Sequence, residues 1–154
     1  MSPKFAPQDV FDQILEWSVI PTFDLILEYG DKGVILLKRT ITPYKDVWAF
    51  PGLRMYKGET IEDTIIRIAK AELGITINPT QRIILGQYTA QFDTDNERQD
   101  ISTGFLIRLT GAEELAFNKE HFSELVIAKT CPKPAGAMYE YYFQKYLDLQ
   151  EPTN

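Results

Sequence analysis

Apolar residues recur at helical spacing from Pro7 to Trp17, with Val10, Phe11, Ile14 and Leu15 on one side, and the pattern stops before Pro21. The texture then becomes that of strands. Phe23 to Tyr29 and Val34 to Thr40 are apolar runs flanking Gly30-Asp31-Lys32-Gly33, which predicts a hairpin. With a two-residue turn at Asp31-Lys32, Ile26 faces Leu37 and Asp24 faces Arg39, an acid and a base on one apolar face. Trp48 to Gly52 reads as a short aromatic strand stopped by Pro51-Gly52. Lys57-Gly58-Glu59 turns the chain into a helix from Thr60 to Leu73, opened by a Thr60/Asp63 capping pair and stopped by Gly74. Ile83 to Gln91 and Ile101 to Leu109 predict two more strands, and the aromatic stretch Met138 to Leu149 a terminal helix. Helices at both ends and mid-chain, with strands between, imply an α+β fold, a mixed sheet covered by helices.

The central helix carries the chemical argument. Ile61, Ile65, Ile68 and Ala69 share its apolar face, and Glu72 falls in the middle of that face. An unpaired carboxylate there costs several kcal/mol or is neutralised by a raised pKa. Three outcomes are open: Glu72 bonds backbone N–H groups, pairs with a cation such as Arg, or coordinates a metal at the domain's edge. Arg67 lies on another flank beside Thr64 and Ala71, where it reaches either solvent or a neighbouring cleft.

Composition narrows the class. The chain has 154 residues, 44% of them hydrophobic, enough for one domain spanning 1–154 with a self-sufficient core. Its single cysteine, Cys131, rules out an intrachain disulfide, and with one histidine the chain lacks the ligands for a structural zinc site. A formal charge of -6 argues against a nonspecific nucleic-acid partner but leaves small anions open, since these respond to local potential. No apolar run is long enough for a membrane span, and Met1 to Asp9 has no signal-peptide pattern, so a cytoplasmic location is expected. Ser2 to Pro7 and Glu151 to Asn154 read as short frayed tails.

The segment Pro51-Gly52-Leu53-Arg54-Met55-Tyr56-Lys57-Gly58-Glu59-Thr60, followed by Arg67 and Ala71-Glu72-Leu73-Gly74-Ile75, resembles a Nudix box. In that family a loop, helix and loop hold a divalent cation against a diphosphate. Three positions depart from the usual form: Leu53 replaces a second glycine, Ile68 an acid after the arginine, and Ala71 the first acid of a Glu-Glu pair. These departures admit decay into a non-enzymatic domain. They also resemble the GDP-mannose mannosyl hydrolase branch, whose helix reads Arg-apolar-x-x-Ala-Glu-Leu-Gly, as Arg67 to Gly74 does here. The similarity extends to Thr22 to Glu28 and Leu36 to Thr40, and covers roughly residues 7–129.

The resemblance implies a Nudix-like α/β/α sandwich and, for this branch, water attacking the sugar's anomeric carbon with expulsion of a nucleoside diphosphate. It implies Mg²⁺, with Mn²⁺ as the alternative, held by Glu72 and the Gly52 carbonyl, with Glu120 as a further ligand. Arg54 and Arg67 match residues that neutralise the departing diphosphate, and Asp24 and Arg39 match positions at the sugar and leaving group. His121, the only histidine, matches the general base, a task suited to an imidazole with an unperturbed pKa near ~6.5. Phe105 stands where the branch has a substrate-side tyrosine. The expected partner is a nucleotide sugar, the expected assembly a homodimer through the N-terminal helix or the cluster Tyr139, Tyr141, Tyr142 and Phe143, although core burial is the favoured use of that cluster. Two further readings compete: an atypical diphosphate hydrolase in which Glu59, Glu62, Asp63 or Glu120 supplies the missing acids, and a nucleotide-binding Nudix domain without turnover.

Overall fold

The computed structural model describes residues 1–150, so the tail read at 151–154 lies outside the described residues. Along the chain run α1 (Gln8–Trp17), β1 (Ile20–Tyr29), β2 (Val34–Arg39), β3 (Trp48–Ala49), β4 (Gly52–Arg54), α2 (Ile61–Leu73), β5 (Arg82–Gln91), β6 (Gln99–Leu109), β7 (Phe122–Ala128) and α3 (Ala137–Gln150). The strands form one mixed sheet in the order β3-β2-β1-β6-β5, with β4 beside β1 and β7 beside β2. β1 and β6 are parallel along their full length, from Ile20 opposite Asp100 to Tyr29 opposite Leu109. The other pairings are antiparallel.

Strand alternation divides the core between two helices. Leu25, Leu27, Ile35 and Leu37 pack on one face against Ile65, Ile68, Ala69 and Leu73 of α2. Ile26, Val34, Leu36 and Leu106 pack on the other against Met138, Tyr139, Tyr142 and Phe143 of α3. The C-terminal aromatic cluster thus covers the sheet, its favoured use, and the expected mixed sheet between helices is the fold observed. α1 is peripheral: it has no buried residue, and Val10 and Ile14 of its apolar side are exposed. In α2 the Thr60/Asp63 box closes in both directions and Gly74 ends the helix in the left-handed conformation, at φ 68°. Ile61, in its first turn, is exposed rather than part of the apolar face.

Two expectations require correction. The β1–β2 hairpin has a three-residue loop, because Gly30 and Gly33 both take positive φ and the Tyr29 N–H donates to the Gly33 carbonyl at 2.8 Å. Glu28 therefore pairs with Val34, a one-residue slip from the expected register that changes the face of every β2 side chain. Ile26 consequently shares its core with Leu36, and Asp24 pairs with Gly52 of β4 and Gly104 of β6 instead of Arg39. The second correction is an element that was not anticipated: β7, which pairs with β2 from Val34 opposite Ala128 to Arg39 opposite Phe122.

Candidate active site

Beyond Glu28 and Val34, β1 and β2 part, β1 taking β4 as its neighbour while β2 takes β3 and β7. A cleft of about 260 Å³ lies where residues of these diverging strands converge with the C-terminal end of α2. Asp24, Arg39, Gly52, Arg54, Glu72 and His121 all line it, so six of the nine expected site residues come together there.

Glu72 is wholly buried on α2. Its side-chain partner is His121, whose Nδ1 lies 3.0 Å from Oε1 and 3.3 Å from Oε2. The partner of this carboxylate is therefore a histidine, where a cation such as Arg was one of the expected options. Burial pushes the Glu72 carboxyl above its ordinary range, with His121 opposing the shift. The loop before β7 is fixed through Asn118: its N–H donates to the Glu72 carbonyl, and its own carbonyl accepts from the N–H groups of His121 and Phe122. In the tautomer that donates Nδ1–H to Glu72, Nε2 of His121 is the acceptor nitrogen.

Asp24 lies under the cleft, 4% exposed, accepting a 2.5 Å hydrogen bond from the Ser102 hydroxyl. Burial pushes its carboxyl up to about 7, against the pull of Ser102 and Arg39. Close packing there explains a glycine: a Cβ on Gly52 would stand 2.5 Å from Asp24 Oδ1 and 2.8 Å from the Phe23 carbonyl oxygen. Arg39 enters the cleft after the register shift between Lys38 and Arg39, and its Nε donates to the Pro43 carbonyl at 2.8 Å. The expected Asp24–Arg39 ion pair is absent among the described residues. The Arg54 guanidinium sits 3.7 Å from the Phe11 ring centre, which ties α1 to the cleft by a cation–π contact.

Three expected site residues fall outside the cleft. Arg67 donates from Nε and Nη2 to Glu59 at 2.7 and 2.9 Å and from Nη2 to the Arg54 carbonyl at 2.6 Å, and lies 3.7 Å from the Tyr56 ring centre. Its position fixes the end of β4, which carries Arg54. Phe105 is buried beneath α2, edge-on to Phe23, because its place on β6 turns it into the core. Glu120 is exposed beside the cleft, and only its backbone contributes to the local hydrogen bonds.

The third arginine of the cleft is Arg98, paired with Asp100. The available signal was Arg98-Gln99-Asp100, whose two-residue spacing at the start of a strand puts both side chains on one face.

For a metal, the donor set is sparse. Among the described residues no group of three or more His, Cys, Asp or Glu side chains is arranged to hold an ion. Glu72, whose side chain has one hydrogen-bond partner among the described residues, and Gly52, which lines the same cleft, nonetheless fit a cation that draws the rest of its shell from water and phosphate, as Mg²⁺ commonly does.

Over residues 20–135 the chain matches the NUDIX domain family. The low-salt glycan biosynthesis protein Agl8 of Haloferax volcanii is 27% identical over 147 residues, covering 92% of this chain and 88% of that protein. The ADP-ribose pyrophosphatase of Methanocaldococcus jannaschii is 32% identical over 112 residues, covering 73% of this chain and 64% of that protein. Among solved structures, the MutT NUDIX hydrolase from Burkholderia pseudomallei superposes with a TM-score of 0.72 at 18% identity, over 83% of this chain and 98% of that one. The NUDIX domain of Shewanella oneidensis NrtR complexed with ADP ribose gives 0.67 at 14% identity, over 95% and 94%.

Proposed function

The chain belongs to the NUDIX domain family, whose members are hydrolases of nucleoside diphosphate derivatives that use divalent cations, and on that premise we propose that it hydrolyses a nucleoside diphosphate sugar of the GDP-mannose or GDP-glucose type. Water attacks the anomeric carbon and a nucleoside diphosphate leaves. The observation that carries this reading is the Glu72–His121 hydrogen bond, which fixes one ring nitrogen of the lone histidine and leaves the other as a base at the cleft. The likeness to a relative named for glycan biosynthesis supports a sugar-bearing substrate.

Each residue has a task in this reaction. His121 Nε2 takes the proton of the attacking water. Arg39 and Arg54, which have no carboxylate partner among the described residues, neutralise the departing diphosphate. Asp24, when ionised, stabilises the positive charge developing on the sugar ring. Glu72 and Gly52 would hold Mg²⁺ or Mn²⁺, which would supply positive charge to the leaving diphosphate. Arg67 acts at one remove, by holding the end of β4 at Arg54.

Cleavage at phosphorus, favoured by the likeness to a relative named as a pyrophosphatase, needs substitute acids, and none of the four the sequence offered lines the cleft. Glu59 is engaged by Arg67, Glu62 by Arg82 and Asp63 by the helix cap, while Glu120 lies outside the lining. Product analysis after incubation with GDP-mannose and Mg²⁺ separates the readings: GDP with free mannose supports attack at carbon, GMP with mannose 1-phosphate supports attack at phosphorus, and binding without either product supports a domain that only binds.

The proposal includes a cytoplasmic homodimer. Among the described residues no helix is long and apolar enough to cross a membrane. Of the two candidate dimer surfaces only α1 remains available, since the C-terminal cluster is largely buried.

A further inference from the structure

One ion pair in the cleft has no task in the proposed reaction. Arg98 donates from Nε to Asp100 Oδ1 at 2.8 Å and from Nη2 to Oδ2 at 3.2 Å. Asp100 is buried and accepts no other side-chain hydrogen bond among the described residues, while the Arg98 side chain is 21% exposed to the cleft. The arginine's position is set by its backbone, whose N–H donates to the Thr94 hydroxyl at 3.0 Å and whose carbonyl accepts from Phe92 at 2.9 Å.

Charge separates this arginine from the other two. Arg39 and Arg54 carry uncompensated charge suited to phosphate, whereas the Arg98–Asp100 pair has no net charge and spare capacity of both kinds. The Arg98 fork keeps three unused N–H groups, and the Asp100 carboxylate keeps free lone pairs beside them. Two adjacent hydroxyls of a sugar ring present the complement, one accepting from a guanidinium and the next donating to a carboxylate. The neighbouring wall supplies a surface for the apolar face of such a ring, because Tyr44 and Phe92, both lining the cleft, pack edge-on with centroids 5.2 Å apart.

We propose that the Arg98–Asp100 pair recognises a vicinal diol of the bound nucleotide sugar, and so helps determine which sugar the cleft accepts. This rests on the nucleotide-sugar reading above. The diol belongs either to the hexose or to the ribose of the nucleotide.

The test uses the full chain with two variants. Arg98→Lys keeps the charge but loses the fork. The double variant Arg98→Gln/Asp100→Asn removes both charges together, so no buried carboxylate is left unpaired and a folding defect in one variant does not compromise the other. Each is measured with Mg²⁺ for KM and kcat on GDP-mannose, and by calorimetry for GDP, 2′-deoxy-GDP and inorganic pyrophosphate. Recognition of the hexose raises KM for GDP-mannose about tenfold or more in both variants, with GDP affinity unchanged within about twofold. Recognition of the ribose lowers GDP affinity by a similar factor and leaves 2′-deoxy-GDP unaffected. A parallel loss of pyrophosphate affinity, with Arg98→Lys retaining it, identifies a phosphate contact and overturns the proposal. Wild-type turnover matched by both variants overturns it alone. A wild type that binds none of the nucleotides overturns the nucleotide-sugar reading and this proposal together.

Discussion

His121 Nδ1 and Glu72 Oε1 lie 3.0 Å apart although 49 positions separate them in the chain. The contact joins the last turn of α2 to the loop before β7, and Asn118 locks the two by bonding the Glu72 carbonyl. Replacing His121 by Ala is expected to lower kcat by about 10² to 10⁴ with KM changed little. Steady-state kinetics on GDP-mannose with Mg²⁺ checks this, and an unchanged kcat would remove His121 from the reaction.

Glu72 makes a separate prediction about the cation. A metal that binds only the folded chain at a hundred times its Kd stabilises it by ~2.7 kcal/mol. For a chain of this length that corresponds to a rise in Tm of about 5–10 °C. Wild type should show this rise on adding Mg²⁺. Glu72→Gln, which keeps the shape and removes the buried charge, should melt near the metal-free wild type and respond little to Mg²⁺. An equal rise in both proteins would exclude Glu72 as a ligand.

Arg54 and Arg67 should separate into binding and positioning roles. Glu59 is 4% exposed and held below the ordinary carboxylate range, since hydrogen bonds from Arg67 and the Tyr56 N–H outweigh its burial. Arg67→Gln leaves that carboxylate short of its main partner and should destabilise the fold by roughly 3 kcal/mol; adding Glu59→Gln should restore much of the loss. Arg54→Gln should keep the melting temperature within a few degrees while weakening GDP binding. Urea unfolding alongside calorimetry reads both effects, and a reversed pattern would exchange the two roles.

Asp24 makes stability depend on pH. Its folded carboxyl titrates at about 7 against an ordinary value of 3.8, so between these pH values the folded chain holds a proton that the unfolded chain has released. Its favourable contribution is complete below the ordinary value and is lost as pH rises through about 7. The change is on the order of a few kcal/mol, since each tenfold difference in proton affinity between the folded and unfolded chain is worth ~1.4 kcal/mol. Unfolding free energies measured from pH 4 to pH 8 should fall less steeply for Asp24→Asn than for wild type. Parallel curves would show that Asp24 does not titrate in this range.

Sequence periodicity located the strands that alternate in two cores and the helix closed by Thr60, Asp63 and Gly74, because each rests on local chemistry. It misplaced the β1–β2 register, where two left-handed glycines made a loop one residue longer than a tight turn. It overlooked β7, whose pairing with β2 comes from a distant part of the chain and whose apolar pattern is broken by the exposed Ser123 and Glu124. The site followed the same division. Glu72 was legible as a carboxylate on an apolar face, but its partner depended on how a loop 49 positions away folds back. Arg67 and Phe105 had the right sequence neighbours and the wrong orientation, one bound to Glu59 and the other turned into the core. Arg98 lines the cleft because the β5–β6 hairpin brings it there.

Hydrolysis of GDP-mannose in oxygen-18 water, with both products analysed by mass spectrometry, tests attack at the anomeric carbon most directly. The label is expected in mannose, with GDP unlabelled. Label in a phosphate group, and none in the sugar, would contradict the account.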